Sequence, residues 1–156
     1  MKALVFDVSG TLVDARQGRN DLFDGARPFL HAAHEAGLFL ALATNLPRRS
    51  LNAFLDDHGL RGFFHAHASA DEAAFKPDPA MINLVLAGLD LTPGDALMIG
   101  DSDGDIFMAH NAKVLSCAAG WGDLSDDVLK AGPTYIARSF DDLARLVGVR
   151  GPYRGD

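Results

Sequence analysis

Cysteine is almost absent: the 156-residue sequence has one, Cys117. No disulfide can form within the chain, which suits a reducing compartment and leads to the expectation of a cytoplasmic protein. Cys117 lies in the apolar run 114–118, where a buried, inert thiol is expected rather than a nucleophile. Long apolar runs are also missing. No stretch approaches the ~20 residues of a membrane-spanning helix, and Asp7 interrupts the first apolar run too early for a secretory leader. Positive charge is short: 14 Lys and Arg face 21 Asp and Glu, a formal net charge of −7. That balance disfavours nucleic acid and anionic membranes as partners and leaves acidic groups for a cation. There is no internal repeat and no low-complexity segment. With 48% hydrophobic and 22% charged residues the composition is that of a globular protein. The length fits one domain with a core.

Apolar runs 3–6, 38–43 and 96–100 are long enough for buried strands and too short for helices. Shorter strands are expected at 63–69, 113–118 and 134–137. Between them the apolar positions take helical spacing. Residues 25–36 place Phe29, Leu30, Ala33 and Ala36 on one face, with Pro28 in the first turn and Gly37 as terminator. Residues 47–58 place Leu51, Phe54 and Leu55 inward and stop at Gly59. Residues 78–89 direct Met81, Leu84, Val85 and Leu89 inward. Residues 104–112 carry Ile106, Ala109 and His110 at helical spacing, and 125–131 and 139–146 complete the set. Ser139 followed by Asp142 approximates a capping box. The segment 9–24 is polar and glycine-punctuated, an active-site loop with room for a hairpin or helical turn. Strands alternating with helices predict an α/β fold, a Rossmann-like three-layer α/β/α sandwich on a mainly parallel sheet. The catalytic core is expected at 1–148, with a flexible tail at 149–156. The Arg154-Gly155-Asp156 triplet in that tail matches an adhesion motif, a three-residue coincidence.

Three apolar strands end in polar groups: Asp7, Thr44-Asn45 and Asp101. A parallel sheet brings such ends to one edge, where ligands bind in open α/β folds. Two further pieces join them, Lys76 in the Phe75–Pro79 segment and the acidic turn Gly100-Asp101-Ser102-Asp103-Gly104-Asp105. Asp7 and Asp101 supply the oxygen ligands that Mg²⁺ prefers. The Thr44 hydroxyl, the Asn45 backbone N–H and the Lys76 ammonium can receive a phosphoryl group. A carboxylate so placed can attack phosphorus. Each piece alone has an ordinary explanation as a turn, a cap or a solvated side chain; the set, in order and at strand ends, points to a site.

These motifs resemble the haloacid dehalogenase (HAD) superfamily, and within it the phosphoglycolate-phosphatase-like branch. The first is Asp7-Val8-Ser9-Gly10-Thr11-Leu12-Val13-Asp14, the second Ala43-Thr44-Asn45, the third Lys76-Pro77, the fourth 100–105. The resemblance spans about residues 1–147. It implies that Asp7 is nucleophile and Mg²⁺ ligand, that Ser9 lends the metal its backbone carbonyl, and that Asp101 is a ligand. It implies that Thr44 and Lys76 bind phosphate, and that Asp105 supports the metal shell or orients Lys76. The implied activity is Mg²⁺-dependent phosphomonoester hydrolysis.

Two departures stand out. Where these phosphatases usually carry a second Asp as general acid and base, this chain has Ser9, whose hydroxyl has no suitable pKa. The outcomes are a slow phosphatase, one confined to esters with good leaving groups, or a long-lived aspartyl-phosphate. Asp14 is the conceivable substitute acid. The other departure is the cap: only 37 positions separate Asp7 from Thr44, so the cap is minimal or absent. Selectivity would then come from a neighbouring subunit in a homo-oligomer, from a bulky phosphorylated substrate in place of a small metabolite, or from the 12–24 loop. Alternative readings are a non-catalytic Mg²⁺/phosphate pocket and a carbon–halogen hydrolase, the latter disfavoured because dehalogenation needs no metal. His65 and His67 alternate as strand neighbours without a third metal ligand. Trp121 borders the cleft or packs on the last helices. Arg48 and Arg49 meet an anionic substrate or lie on a solvated helix face.

Overall fold

The structure is a computed structural model in which residues 1–150 are described. Of the expected tail, 151–156 lie outside the described residues, and so does the Arg-Gly-Asp triplet. Val149, assigned to that tail, is packed instead: it is 3% exposed and its N–H donates to Ala144 O.

The chain runs β1 (Ala3–Phe6), β2 (Val13–Asp14), β3 (Asp21–Leu22), α1 (Ala26–Glu35), β4 (Phe39–Ala43), α2 (Arg48–Asp57), β5 (Ala66–Ala68), α3 (Ala80–Leu89), β6 (Ala96–Gly100), α4 (Asp103–Asn111), β7 (Leu115–Ala119), α5 (Asp126–Lys130), β8 (Tyr135–Ala137) and α6 (Phe140–Val147). Six strands form one sheet in the order β5-β4-β1-β6-β7-β8, each neighbouring pair parallel. The α/β/α sandwich expected from the alternation is therefore present. No helix among the described residues is long and apolar enough to cross a membrane.

Successive side chains of a strand point to opposite faces, and β1 divides its four apolar residues accordingly. Leu4 and Phe6 join one core with α1, α2 and α6, whereas Ala3 and Val5 join the other with α3 and α4. With helices on both faces, β1 has no solvent side, so its run is continuous rather than alternating.

One inward assignment is corrected. On α3, Leu84 is 46% exposed, and Ile82 and Leu86 occupy the core beside Met81 and Val85. The helix is apolar on nearly every side, so spacing alone could not rank its faces. On α4, His110 is exposed and Met108 packs inward with Ile106 and Ala109. The cap of α6 is also only half of what the spacing suggested. Ser139 Oγ accepts the Asp142 N–H, but the Asp142 carboxylate turns to the Arg138 N–H at 2.9 Å.

The order of strands sets the site. From β1 the chain builds outward through β4 and β5, then crosses back to β6 on the other side of β1 and continues to β8. The reversal falls between β1 and β6, the switch point where open α/β sheets hold ligands. Asp7 follows one of these strands and Asp101 the other, and the Asp7 N–H donates to Ile99 O at 3.0 Å across the pair. Between β1 and α1 the only inserted structure is the β2–β3 hairpin with a single 3₁₀ turn at Arg16–Gly18. The cap is thus minimal.

Candidate active site at the strand ends

The turn after β1 is tight. Three successive amides, Thr11, Leu12 and Val13, reach the Val8 carbonyl, and the Gly10 N–H donates to Val13 O. Gly10 has a φ of +82°, a conformation that favours glycine, and a Cβ there would lie 2.0 Å from Asp101 Oδ2. The bare Gly10 backbone is what lets Asp101 approach the end of β1. Thr11, fully buried, donates its hydroxyl to Asp101 Oδ1 at 3.2 Å.

Gly100 makes the second space. A Cβ on this last residue of β6 would sit 2.3 Å from the Asp105 carboxyl carbon. Asp105 folds back beneath the strand from the first turn of α4 in a capping box with Ser102. Its Oδ2 accepts the Ser102 N–H at 3.1 Å and the Ser102 hydroxyl at 2.9 Å, and Ser102 Oγ accepts the Asp105 N–H. Gly100→Ala is expected to destabilise the protein by about 3 kcal/mol. This combines overpacking at ~1–3 kcal/mol with displacement of a paired buried carboxylate. Urea denaturation checks it, and an unchanged midpoint would mean that Asp105 can move aside.

Lys76 joins the carboxylates. The Asn45 side chain accepts the Lys76 N–H at 3.0 Å and sets the direction of the chain there. The ammonium then lies 2.8 Å from Asp7 Oδ1 and 2.5 Å from Asp105 Oδ1, with the lysine side chain 5% exposed. Asp105 Oδ1 has no hydrogen bond of acceptable geometry and is balanced by charge alone. Asp7, Asp101 and Asp105 each present an oxygen, and the three atoms lie within 4.8 Å of one another. Three carboxylates therefore cluster around one ammonium, which pairs with two of them.

The titration behaviour reflects that shortage. Burial pushes the Asp7 carboxyl above its ordinary value, with Lys76 opposing and Asp101 adding to the rise. Burial and then the Asp105 charge raise Asp101. Burial, followed by repulsion from Asp7, lifts Asp105 to about 6 despite Lys76. Burial favours the neutral form of Lys76, but the charges of Asp7 and Asp105 outweigh it and leave the ammonium more basic than usual. Hard oxygen donors, an excess of negative charge and a buried carboxylate oxygen without a hydrogen bond together fit a divalent cation.

Asp7, Ser9, Thr44, Asn45 and Lys76 line one open cleft of about 250 Å³ with Leu46 and Ser102. Ser9 also borders an adjoining hollow of about 300 Å³ that contains Asp101, Asp14, Arg16 and Asp123. The sequence-derived site residues thus lie together, with Ser9 at the junction. Thr44 is buried, and its hydroxyl accepts the Leu46 N–H at 3.1 Å. Thr11, Ser102 and the side chain of Asn45 were not singled out from sequence. Ser102 carries a signal, the Ser-x-x-Asp spacing of a capping box; Thr11 carries none.

Other candidates are turned to different work. Arg16 grips Asp14 through its backbone N–H, its Nε and a terminal nitrogen, holding that carboxyl near 2. A carboxylate so held is a poor substitute acid. Arg48 contacts His67 and Glu72 rather than the cleft. His65 Nδ1 accepts the Leu40 N–H and its ring stacks on His34, and among the described residues neither His65 nor His67 belongs to a cluster of metal-ligating groups. Trp121 meets the packing expectation: its ring lies 4.1 Å from that of Phe140 on α6, its indole N–H donates to Thr11 O at 2.8 Å, and it lines neither the cleft nor the adjoining hollow. Cys117 is fully buried, with its thiol pushed up to about 12 by burial.

The family model for haloacid dehalogenase-like hydrolases matches residues 15–113. A phosphoglycolate phosphatase of Vibrio cholerae is 32% identical over 130 residues, covering 82% of this chain and 56% of that protein. A pyrophosphatase of Halalkalibacterium halodurans is 28% identical over 130 residues, covering 82% of this chain and 60% of its own length. The chain therefore spans little more than half the length of these curated relatives. Among solved structures, a predicted phosphatase from Clostridium acetobutylicum superposes with a TM-score of 0.83 at 20% identity, over 94% of this chain and 97% of that one. That last likeness is one of fold.

Proposed function

Since the chain belongs to the haloacid dehalogenase-like hydrolase family, we propose that it is a Mg²⁺-dependent phosphomonoester hydrolase working through an aspartyl-phosphate on Asp7. The observation that carries this reading is the convergence of Asp7, Asp101, Asp105 and Lys76 at the β1/β6 switch point. Asp7 and Asp101, with the backbone carbonyl of Ser9, would hold the ion. Bound Mg²⁺ supplies positive charge that offsets the repulsion between a phosphate dianion and the attacking carboxylate.

The remaining work belongs to the chain. Asp7, at the floor of the cleft, attacks phosphorus with a carboxylate oxygen. Lys76 and the Thr44 hydroxyl receive the phosphoryl oxygens, with the Asn45 backbone N–H beside them. Asp105 holds the Lys76 ammonium level with Asp7, and the Asn45 side chain holds the Lys76 backbone. The named activities of the relatives, phosphoglycolate phosphatase and pyrophosphatase, support phosphoryl chemistry on a small phosphorylated metabolite. A cytoplasmic setting accords with the single buried thiol.

The test is turnover of para-nitrophenyl phosphate with Mg²⁺, abolished by chelation, together with a beryllofluoride adduct on Asp7. Absence of both in the wild type and in Ser9→Asp, with the fold and Mg²⁺ binding intact, would overturn the reading. Ser9 itself favours the second reading, a Mg²⁺/phosphate pocket that binds without catalysis, and that result would establish it.

A further inference from the structure

We infer that the natural substrates are phosphoryl donors whose leaving group departs without a proton, namely acyl phosphates, phosphoanhydrides or acidic aryl esters, and not alkyl phosphates. This rests on the reading of Asp7 as nucleophile and names the substrate class of that same site. It follows from an inventory of proton donors around the cleft.

The groups facing the reacting carboxylate are Ser9, Thr44, Asn45, Lys76 and Ser102. Ser9, Thr44 and Ser102 offer neutral hydroxyls and Asn45 an amide, so Lys76 alone is ionisable. Its ammonium is committed between Asp7 at 2.8 Å and Asp105 at 2.5 Å. In the adjoining hollow, both oxygens of Asp14 are engaged by Arg16. Asp123 is 78% exposed and pairs with the same guanidinium at 3.3 Å. Asp101 accepts the Thr11 hydroxyl beside Asp7. No histidine or tyrosine lines either space. Among the described residues lining these two spaces, none is a free acid placed to protonate a departing oxygen.

The first step then balances without an acid. An Asp7 oxygen forms the new bond to phosphorus. The bond from phosphorus to the leaving oxygen breaks, and its electron pair leaves with that oxygen as an anion. In the second step water adds to phosphorus and the bond to Asp7 breaks, restoring the carboxylate. Inorganic phosphate departs and the surplus proton passes to solvent. Neither step has a base or acid from the chain, so leaving-group acidity governs the first and the adduct outlives its formation in the second.

The experiment measures kcat/KM with Mg²⁺ for acetyl phosphate, a series of aryl phosphates of graded phenol acidity, and glycerol phosphate. Acid-quenched mass spectrometry of the Asp7 peptide follows the adduct. The wild type is expected to lose rate steeply as the leaving group becomes more basic and to accumulate phospho-Asp7 from acetyl phosphate. Ser9→Asp is expected to raise kcat/KM for glycerol phosphate by about 10²–10⁴-fold, the usual contribution of a general acid, and so to narrow the gap between glycerol phosphate and acetyl phosphate. A wild-type rate on glycerol phosphate equal to that on the acidic esters would overturn the inference and leave the phosphatase reading standing. No turnover of any substrate and no adduct in either protein would overturn both. The wild-type series decides the matter even where Ser9→Asp fails to fold.

Discussion

Asp7→Asn is expected to reduce para-nitrophenyl phosphate turnover to the uncatalysed background, a loss of up to about 10⁶-fold when an enzyme's nucleophile is removed. The fold should survive. Asn keeps the shape of Asp and can still accept from Lys76 through its amide oxygen. The substitution removes one of the two buried carboxylates paired with the Lys76 ammonium and one of the three clustered here, and Lys76 retains Asp105 as its ionic partner. The apo variant should therefore melt no lower than the wild type, and relief of the burial and repulsion that raise Asp7 favours a higher midpoint. The beryllofluoride adduct should vanish with the activity. Turnover within tenfold of wild type, at an unchanged midpoint, would remove Asp7 from the chemistry.

Much of this site could be read from the chain because the central strands are buried on both faces. Four apolar residues followed by Asp7, and five followed by Asp101, look like nothing else at that length, and parallel pairing delivers their ends to one edge. Lys76 was legible through its prolines and its place in a motif. What escaped has a common cause. Asn45 was assigned through its backbone, yet its side chain holds the Lys76 amide 31 positions away, and no local pattern encodes a contact so distant. Thr11 reaches Asp101 across 90 positions in the same manner.

The glycines show the same limit from the other side. Gly10 and Gly100 read as turn punctuation, but each is also the space a carboxylate needs, visible only once Asp101 and Asp105 have coordinates. The β2–β3 hairpin has two residues per strand, too few for any periodicity to declare. Its Asp14 looked like a spare acid until Arg16 was seen to hold it. Leu84 failed for a local reason: on a helix apolar nearly all round, the choice of face is made by the sheet and not by the helix.

Lys76→Met should produce the largest loss of stability of any substitution considered, and one that depends on pH. The lysine stem is buried and Met replaces most of its volume, so packing changes little. Among the described residues the ammonium is the sole cation in contact with Asp7 and Asp105, and removing one partner of a buried pair typically destabilises by about 3–5 kcal/mol. With Lys76 present, Asp105 already titrates near 6, raised by burial and then by Asp7; without it the value rises further. An acid whose folded pKa exceeds its unfolded one contributes stability that is present at low pH and lost as pH climbs through the folded value. Neutralising the carboxylates therefore costs the variant less at pH 5 than at pH 8. In urea with a chelator present, the gap between wild type and Lys76→Met should be small at pH 5 and several-fold larger at pH 8. Mg²⁺ should narrow it at pH 8 by returning positive charge to the same oxygens. Equal destabilisation at both pH values would assign the loss to packing of the lysine stem, and with it would fall the view that charge shortage is what shapes this cluster.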